Sequence, residues 1–171
     1  MTPRPAGGPP PRPPEPITPG HDVSGFTSRH ETLNEWLRKH ALKNEGATAR
    51  TYVVTAGSVV VGYYTLASGG VARATLPGKL RRNAPEEIPV IVLGRLAADR
   101  NFERHGIGRG MLQEAIRKTL ASSRTVGIRG LLVHAIDDEA VTFYTRHGFV
   151  AMPAEPRTLL LPVETAAAAL G

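Results

Sequence analysis

Three glycines occupy alternate positions in NFERHGIGRGMLQEA, residues 101–115, and a helical pattern follows. A glycine turn that feeds a helix presents first-turn N–H groups with no intrahelical acceptor. Together with the helix dipole they make an anion site. Gly106, Gly108 and Gly110, with Ile107 between the first two, let a ligand lie close to that backbone. Arg104, His105 and Arg109 add positive charge. Phosphate or pyrophosphate is the natural guest. The Gly-Lys-Ser/Thr of a P-loop is absent. The GxGxG spacing also departs from the dinucleotide fingerprint, which needs an acidic residue about 20 positions on, after a second strand. Elsewhere the inventory is short. There is no cysteine, which excludes disulfides, cysteine nucleophiles and thiolate metal sites. The six histidines form no HExxH pair, and there is no GxSxG elbow. No metal site is expected.

These residues need a scaffold, and the pattern along the chain predicts one. Residues 1–20 hold nine of the fifteen prolines and few large apolar side chains, so a disordered, partly polyproline-like tail is expected there. In SRHETLNEWLRKHALKNEG, Leu33, Trp36, Leu37, His40 and Ala41 form one helical stripe. Ser28 with Glu31 resembles a capping box, and Gly46 is a natural stop. The other face carries Arg29, Arg38, Lys39 and Lys43. Two β-rich runs around Ala56-Gly57-Ser58 predict a hairpin, and residues 71–76 a further short strand. PGKLRRNAPEE, with Arg81 and Arg82, is a basic connector. IPVIVLGRLAAD is a continuous apolar run of the kind a central buried strand shows. The helix after the glycine turn is expected to run to about Ser122. RGLLVHAID is a second buried strand. Asp137 caps a helix over residues 138–147 that Gly148 ends, and RTLLLPV is a final strand. Residues 165–171 form an alanine-rich tail. The expected fold is α/β: one domain with a central mixed, mostly antiparallel sheet flanked by helices, over residues 21–163, with 164–171 as a tail.

A chain of 171 residues with 41% hydrophobic side chains suits one domain with a real core. No run is apolar and long enough to span a membrane, and no signal-peptide pattern opens the chain, so a cytoplasmic location is expected. The net charge is +6, and arginine outnumbers lysine 17 to 4. Guanidinium suits phosphate through its planar fork, so the charge balance points toward a polyanionic partner.

The succession of strand, glycine turn and helix, then LLVHAIDDEAVTFYTRHGF, residues 131–149, resembles the GCN5-related N-acetyltransferase (GNAT) family. The earlier segment TLNEWLRKHALKNEGATARTYVV resembles one branch of it, the toxins of bacterial type II toxin–antitoxin pairs that acetylate the amino acid on charged tRNA. LGRLAADRNFERHGIGRGML resembles that branch too. The resemblance implies acetyl-CoA as cosubstrate, with its pyrophosphate on the turn and its pantetheine arm along Leu96, Ala97 and Ala98. The family's turn reads Gln/Arg-x-x-Gly-x-Gly/Ala. Here Glu103 stands at the first position, where a carboxylate repels a pyrophosphate unless it points away. Tyr144 matches the tyrosine of the family's FY dipeptide, with Phe143 beside it. The match implies that Tyr144 protonates the departing thiolate, which a phenol of pKa about 10 can do. For the base, His134 and His147 both remain candidates. For tRNA phosphates the candidates are Arg29, Arg38, Lys39, Lys43, Arg81, Arg82 and Arg95. The branch further implies a ribbon-helix-helix antitoxin and a homodimer. The competing expectation is an N-acetyltransferase of a small-molecule amine or a protein N-terminus.

Overall fold

The computed structural model describes residues 9–170. In chain order the elements are β1 (Glu15–Pro16), α1 (Glu31–Lys39), α2 (Ala41–Asn44), β2 (Arg50–Ala56), β3 (Val59–Ala72), α3 (Gly78–Arg81), β4 (Glu87–Ala98), α4 (Ile107–Ser123), β5 (Gly130–His134), α5 (Asp138–Arg146), β6 (Val150–Met152), β7 (Glu155–Pro162) and α6 (Val163–Ala169). The strands form one sheet in the order β1-β2-β3-β4-β5-β7-β6. β4 and β5 run parallel, while β1–β2, β2–β3, β5–β7 and β6–β7 are antiparallel. The expected mixed sheet with flanking helices is therefore present. No helix among the described residues is long and apolar enough to cross a membrane.

Two compact units share the chain: Met1–Leu66 with Arg95–Glu114, and Ala67–Gly94 with Ala115–Gly171. In the first, the helical stripe predicted over residues 33–41 packs on β3. Tyr63 is fully buried, stacks on Trp36 at 5.9 Å and meets Phe26 edge-on at 5.6 Å. Its hydroxyl donates to the Leu33 carbonyl at 2.7 Å, so the aromatic body is packed and its polar tip satisfied. Gly62 on β3 lies under α4: a Cβ there would stand 2.7 Å from Cγ2 of Ile107. That close approach seats the start of α4 on the sheet.

The expected disordered tail does not extend to residue 20. Glu15 and Pro16 pair with Val53 and Tyr52 of β2, the Ile17 N–H donates to the Thr51 carbonyl, and the Ile17 side chain is buried. Proline is tolerated on an edge strand because its missing N–H can face outward, and Ile17 supplies the apolar anchor. Residues 1–8 lie outside the described residues. The capping box is also absent. The Ser28 hydroxyl donates to Asn34 Oδ1 at 2.6 Å, and α1 begins after His30 with no side-chain cap.

In the second unit the pairing of β5 with β7 sorts side chains by face. Leu131, Val133, Leu159 and Leu161 share one face; Leu132, His134, Thr158 and Leu160 share the other. Gly130 is required by packing, because a Cβ there would lie 2.7 Å from the Leu161 carbonyl oxygen. Gly130→Ala is therefore expected to cost about 1–3 kcal/mol, read as a lower Tm by differential scanning calorimetry. Residues 71–76 are not a separate strand: β3 runs on to Ala72, and a 3-10 turn follows. The alanine-rich end, expected as a tail, is helical. It forms α6 with Ala166 buried, as a run of the best helix former allows.

Candidate active site

β4 carries the chain into the glycine turn, and Asp99 fixes its exit. The Asp99 carboxylate is buried and accepts from the N–H groups of Thr27 and Asn101 at 3.0 and 2.9 Å. Its own N–H donates to the Val61 carbonyl, and the Arg100 N–H donates to that of Thr27. A few residues later the backbone alternates in hand: Arg104 has φ +64° and Gly106 φ +77°, while His105 between them is not in the positive-φ region. Such alternation turns successive N–H groups to one side and makes an anion-binding concavity. α4, 17 residues long, opens directly after it and adds its positive end. A Cβ at Gly106 or at Gly110 would meet no atom within 4 Å. Packing therefore does not require these glycines. At 106 the left-handed backbone does, and at 110 glycine keeps the space above the helix open. Ile107 turns its side chain inward and is buried, while Arg104 and Arg109 stand exposed at the turn. The His105 ring lies 6.0 Å from that of Phe102.

Glu103 does not stand unneutralised beside this anion site. The Arg29 guanidinium grips it with two bonds, Nε to Oε1 at 2.8 Å and Nη2 to Oε2 at 3.1 Å. The hydrogen bonds from Arg29 hold the Glu103 carboxyl below the usual carboxylate range, with charge from Arg29, Arg100 and Arg104 helping. A depressed carboxylate contributes when ionised, so the latch is in place at neutral pH and is lost only in acid, below the usual carboxylate range. Pairs this exposed contribute little to stability. Arg29→Ala is accordingly expected to leave Tm nearly unchanged while raising KM for acetyl-CoA a few-fold through a looser turn. Steady-state kinetics with a parallel melt check this.

The last residues of β4 offer backbone to an extended ligand. β4 pairs with β5 from Ile91 to Leu93, and β5 ends at His134, whereas β4 continues to Ala98. Ala97 turns its methyl into the core with Phe26 and Tyr63, so Leu96 and Ala98, both half-buried, lie on the opposite face. A strand that outruns its neighbour has N–H and C=O groups available for a guest.

Tyr144 sits on α5. Asp137 caps this helix through its Oδ1, which accepts the Ala140 N–H at 2.8 Å, and Gly148 at φ +94° ends it. Tyr144 is 7% exposed and packs edge-on against Phe143 and beside Phe149. Burial pushes its phenol well above the usual tyrosine range, and its hydroxyl has no hydrogen-bond partner among the described residues. The phenol thus keeps its proton at neutral pH. The two candidate bases separate. His147 is tied to its own helix, its Nδ1 2.8 Å from the Phe143 carbonyl oxygen and its ring 4.8 Å from that of Phe143. His134 ends β5, exposed, with Nδ1 3.0 Å from Thr158 Oγ1.

Four of the seven expected tRNA contacts are already engaged within the protein. Arg29 holds Glu103, Arg38 donates to the Phe26 carbonyl and to Glu31, Lys39 reaches Glu35, and Arg95 lies 3.9 Å over the Trp36 ring. Lys43, Arg81 and Arg82 are exposed and have no ion pair among the described residues. No cluster of metal-binding side chains occurs among the described residues.

The sheet order, with a glycine turn opening α4 and a capped helix α5 after β5, is that of a CoA-dependent acyltransferase. The chain belongs to the GNAT acetyltransferase family: a family model described as Acetyltransferase (GNAT) domain matches residues 47–151. It is 41% identical over 159 residues to a tRNA-acetylating toxin of Mycobacterium tuberculosis, an alignment that covers 92% of this chain and 96% of the relative. Among solved structures, AtaT complexed with acetyl-methionyl-tRNAfMet superposes with a TM-score of 0.85 at 31% identity, covering 92% of this chain and 98% of that one. A tyrosine-to-phenylalanine variant of AtaT, bound to the C-terminus of the antitoxin AtaR and acetyl-CoA, superposes with a TM-score of 0.79 at 29% identity, covering 91% and 95%.

Proposed function

We propose that the protein transfers the acetyl group of acetyl-CoA to the α-amine of aminoacyl-tRNA and so blocks translation. The observation that carries this is the likeness to the tRNA-acetylating toxin across nearly the full length of both chains. In this reading the turn at residues 104–110 holds the pyrophosphate by its backbone, the end of β4 pairs with the pantetheine arm, and Tyr144 protonates the leaving thiolate. Acetyl transfer then needs no covalent enzyme intermediate. The amine attacks the thioester carbonyl, the C–S bond breaks, and an amide forms. An α-amine suits this, because it titrates near 8 and is already partly neutral at cellular pH, whereas a lysine amine near 10.4 is not. Lys43, Arg81 and Arg82 supply phosphate contacts that give affinity without sequence information.

The same reading makes the protein the toxin of a pair, held in check by a ribbon-helix-helix antitoxin, and places it in the cytoplasm with charged tRNA. It further makes the protein a homodimer. The edge strands of the sheet are β1 and β6, and Val150 on β6 is an exposed apolar side chain there. Mass spectrometry of aminoacyl-adenosine released by nuclease from treated tRNA tests the reaction. One added acetyl group on the α-nitrogen is expected; unmodified aminoacyl-adenosine under full turnover conditions contradicts the reading.

A further inference from the structure

A cavity of about 260 Å³ opens in the second unit, on the sheet face that carries Leu132, His134 and Thr158. Its apolar wall includes Val71, Leu132 and Met152, and its polar edge is His134, Thr158 and Glu155. The polar edge is a directed relay. Thr158 Oγ1, on a residue only 8% exposed, donates to Glu155 Oε2 at 3.1 Å. A hydroxyl has one proton, and a carboxylate only accepts. The 3.0 Å contact between Thr158 Oγ1 and His134 Nδ1 must therefore be donated by the histidine. In the neutral ring that puts the proton on Nδ1 and the lone pair on Nε2. The three side chains thus present one bare, basic nitrogen, buttressed by a hydroxyl and a carboxylate, at the edge of a mostly apolar cavity. The Nδ1 of His147 donates to a backbone carbonyl of its own helix, with no hydroxyl or carboxylate behind it, and His147 does not line this cavity.

We propose that this cavity receives the aminoacyl end of the acceptor, with a compact apolar side chain against Val71, Leu132 and Met152, and that His134 Nε2 takes the proton the α-amine sheds. The inference rests on the acetyltransferase reading above and adds to it the acceptor class and the base. Size supports it. A cavity of about 150 Å³ holds benzene, so this one, about 260 Å³ and open on one side, accommodates an aliphatic or single-ring side chain with its α-amine. Chemistry supports it too. An apolar wall makes a buried polar side chain costly, and Glu155 at the edge repels an acidic one. In the step itself the amine nitrogen bonds to the carbonyl carbon and the C–S bond breaks. The proton lost from nitrogen goes to His134, and the thiolate takes its proton from Tyr144. Exchange with solvent resets both residues.

Kinetics on purified full-length protein, with a panel of tRNAs charged with apolar or acidic amino acids, test this. Apolar acceptors are expected to give kcat/KM at least tenfold above acidic ones. His134→Gln is expected to lower kcat at least tenfold with little change in KM for acetyl-CoA. Thr158→Val lowers it less, and Thr158→Ser, which keeps the hydroxyl, restores it. Ala154→Phe, placed in the exposed turn that lines the cavity, raises KM for the charged tRNA and leaves acetyl-CoA binding and Tm unchanged. Wild-type labelling of tRNA with unaltered kinetics in His134→Gln and Ala154→Phe overturns this assignment alone. A wild-type protein that binds acetyl-CoA but labels none of the charged tRNAs overturns the tRNA reading, and this assignment with it.

Discussion

Replacing Tyr144 with Phe is expected to lower kcat by about a hundredfold or more, the scale that a positioned general acid contributes, while acetyl-CoA affinity and Tm are expected to stay close to wild type. The substitution removes one oxygen and keeps the ring. The contacts of that ring with Phe143 and Phe149, at 5.3 Å each, therefore persist. The lost group is a hydroxyl with no partner among the described residues, so no buried hydrogen bond is broken. The direction of its pKa sharpens the result. Burial raises it, so the phenol stays protonated through neutral and mildly alkaline pH. Ionisation of Tyr144 does not set an alkaline limb in that range, and the wild-type to Phe ratio stays constant across it. Single-turnover kinetics at several pH values, with isothermal titration of acetyl-CoA in parallel, read both quantities. A merely structural tyrosine would leave the rate unchanged.

Gly110→Asp is expected to separate stability from binding in opposite directions. The position is helical, and a Cβ there meets nothing within 4 Å. Any side chain other than proline improves on glycine in a helix, and an acidic one near the helix start is favoured by the dipole. Tm is therefore expected to hold or rise. In the proposed function the same carboxylate would sit beside the pyrophosphate and fill the open space above Gly110. Acetyl-CoA affinity is expected to fall at least tenfold, about 1.4 kcal/mol. Titration calorimetry and a thermal melt on one preparation decide it. A variant that melts higher and binds as well as wild type would show that the turn does not hold the cofactor.

The parts of this site that the sequence makes legible are those written in local patterns. The bounds of α5 follow from its Asp137 cap and Gly148 stop, and the glycines at 106, 108 and 110 mark the turn that opens α4. What escapes is pairing across distance. Arg29 lies 74 residues from Glu103, so nothing local says that the acidic residue at the turn is neutralised. Asp99 reads as an ordinary strand end, although its carboxylate ties the exit of β4 to Thr27. The left-handed backbone of Arg104 carries no signal, because the residue is not glycine. His134 is visible as a candidate base, but its tautomer depends on Thr158, 24 residues away. Among the elements, β6 is too short at three residues to show a period. β1 is hidden by proline composition, which argues for disorder until Ile17 finds a buried position against β2.

The central claim is that charged tRNA is the acceptor. The most direct measurement gives the protein labelled acetyl-CoA and offers charged tRNA, the same tRNA after deacylation, a polyamine and a peptide with a free N-terminus, each under identical conditions. The account predicts that label enters the charged tRNA with the highest kcat/KM, that deacylation abolishes transfer, and that the other amines are poor acceptors. Efficient labelling of the polyamine or the peptide, with charged tRNA left unlabelled, would contradict it.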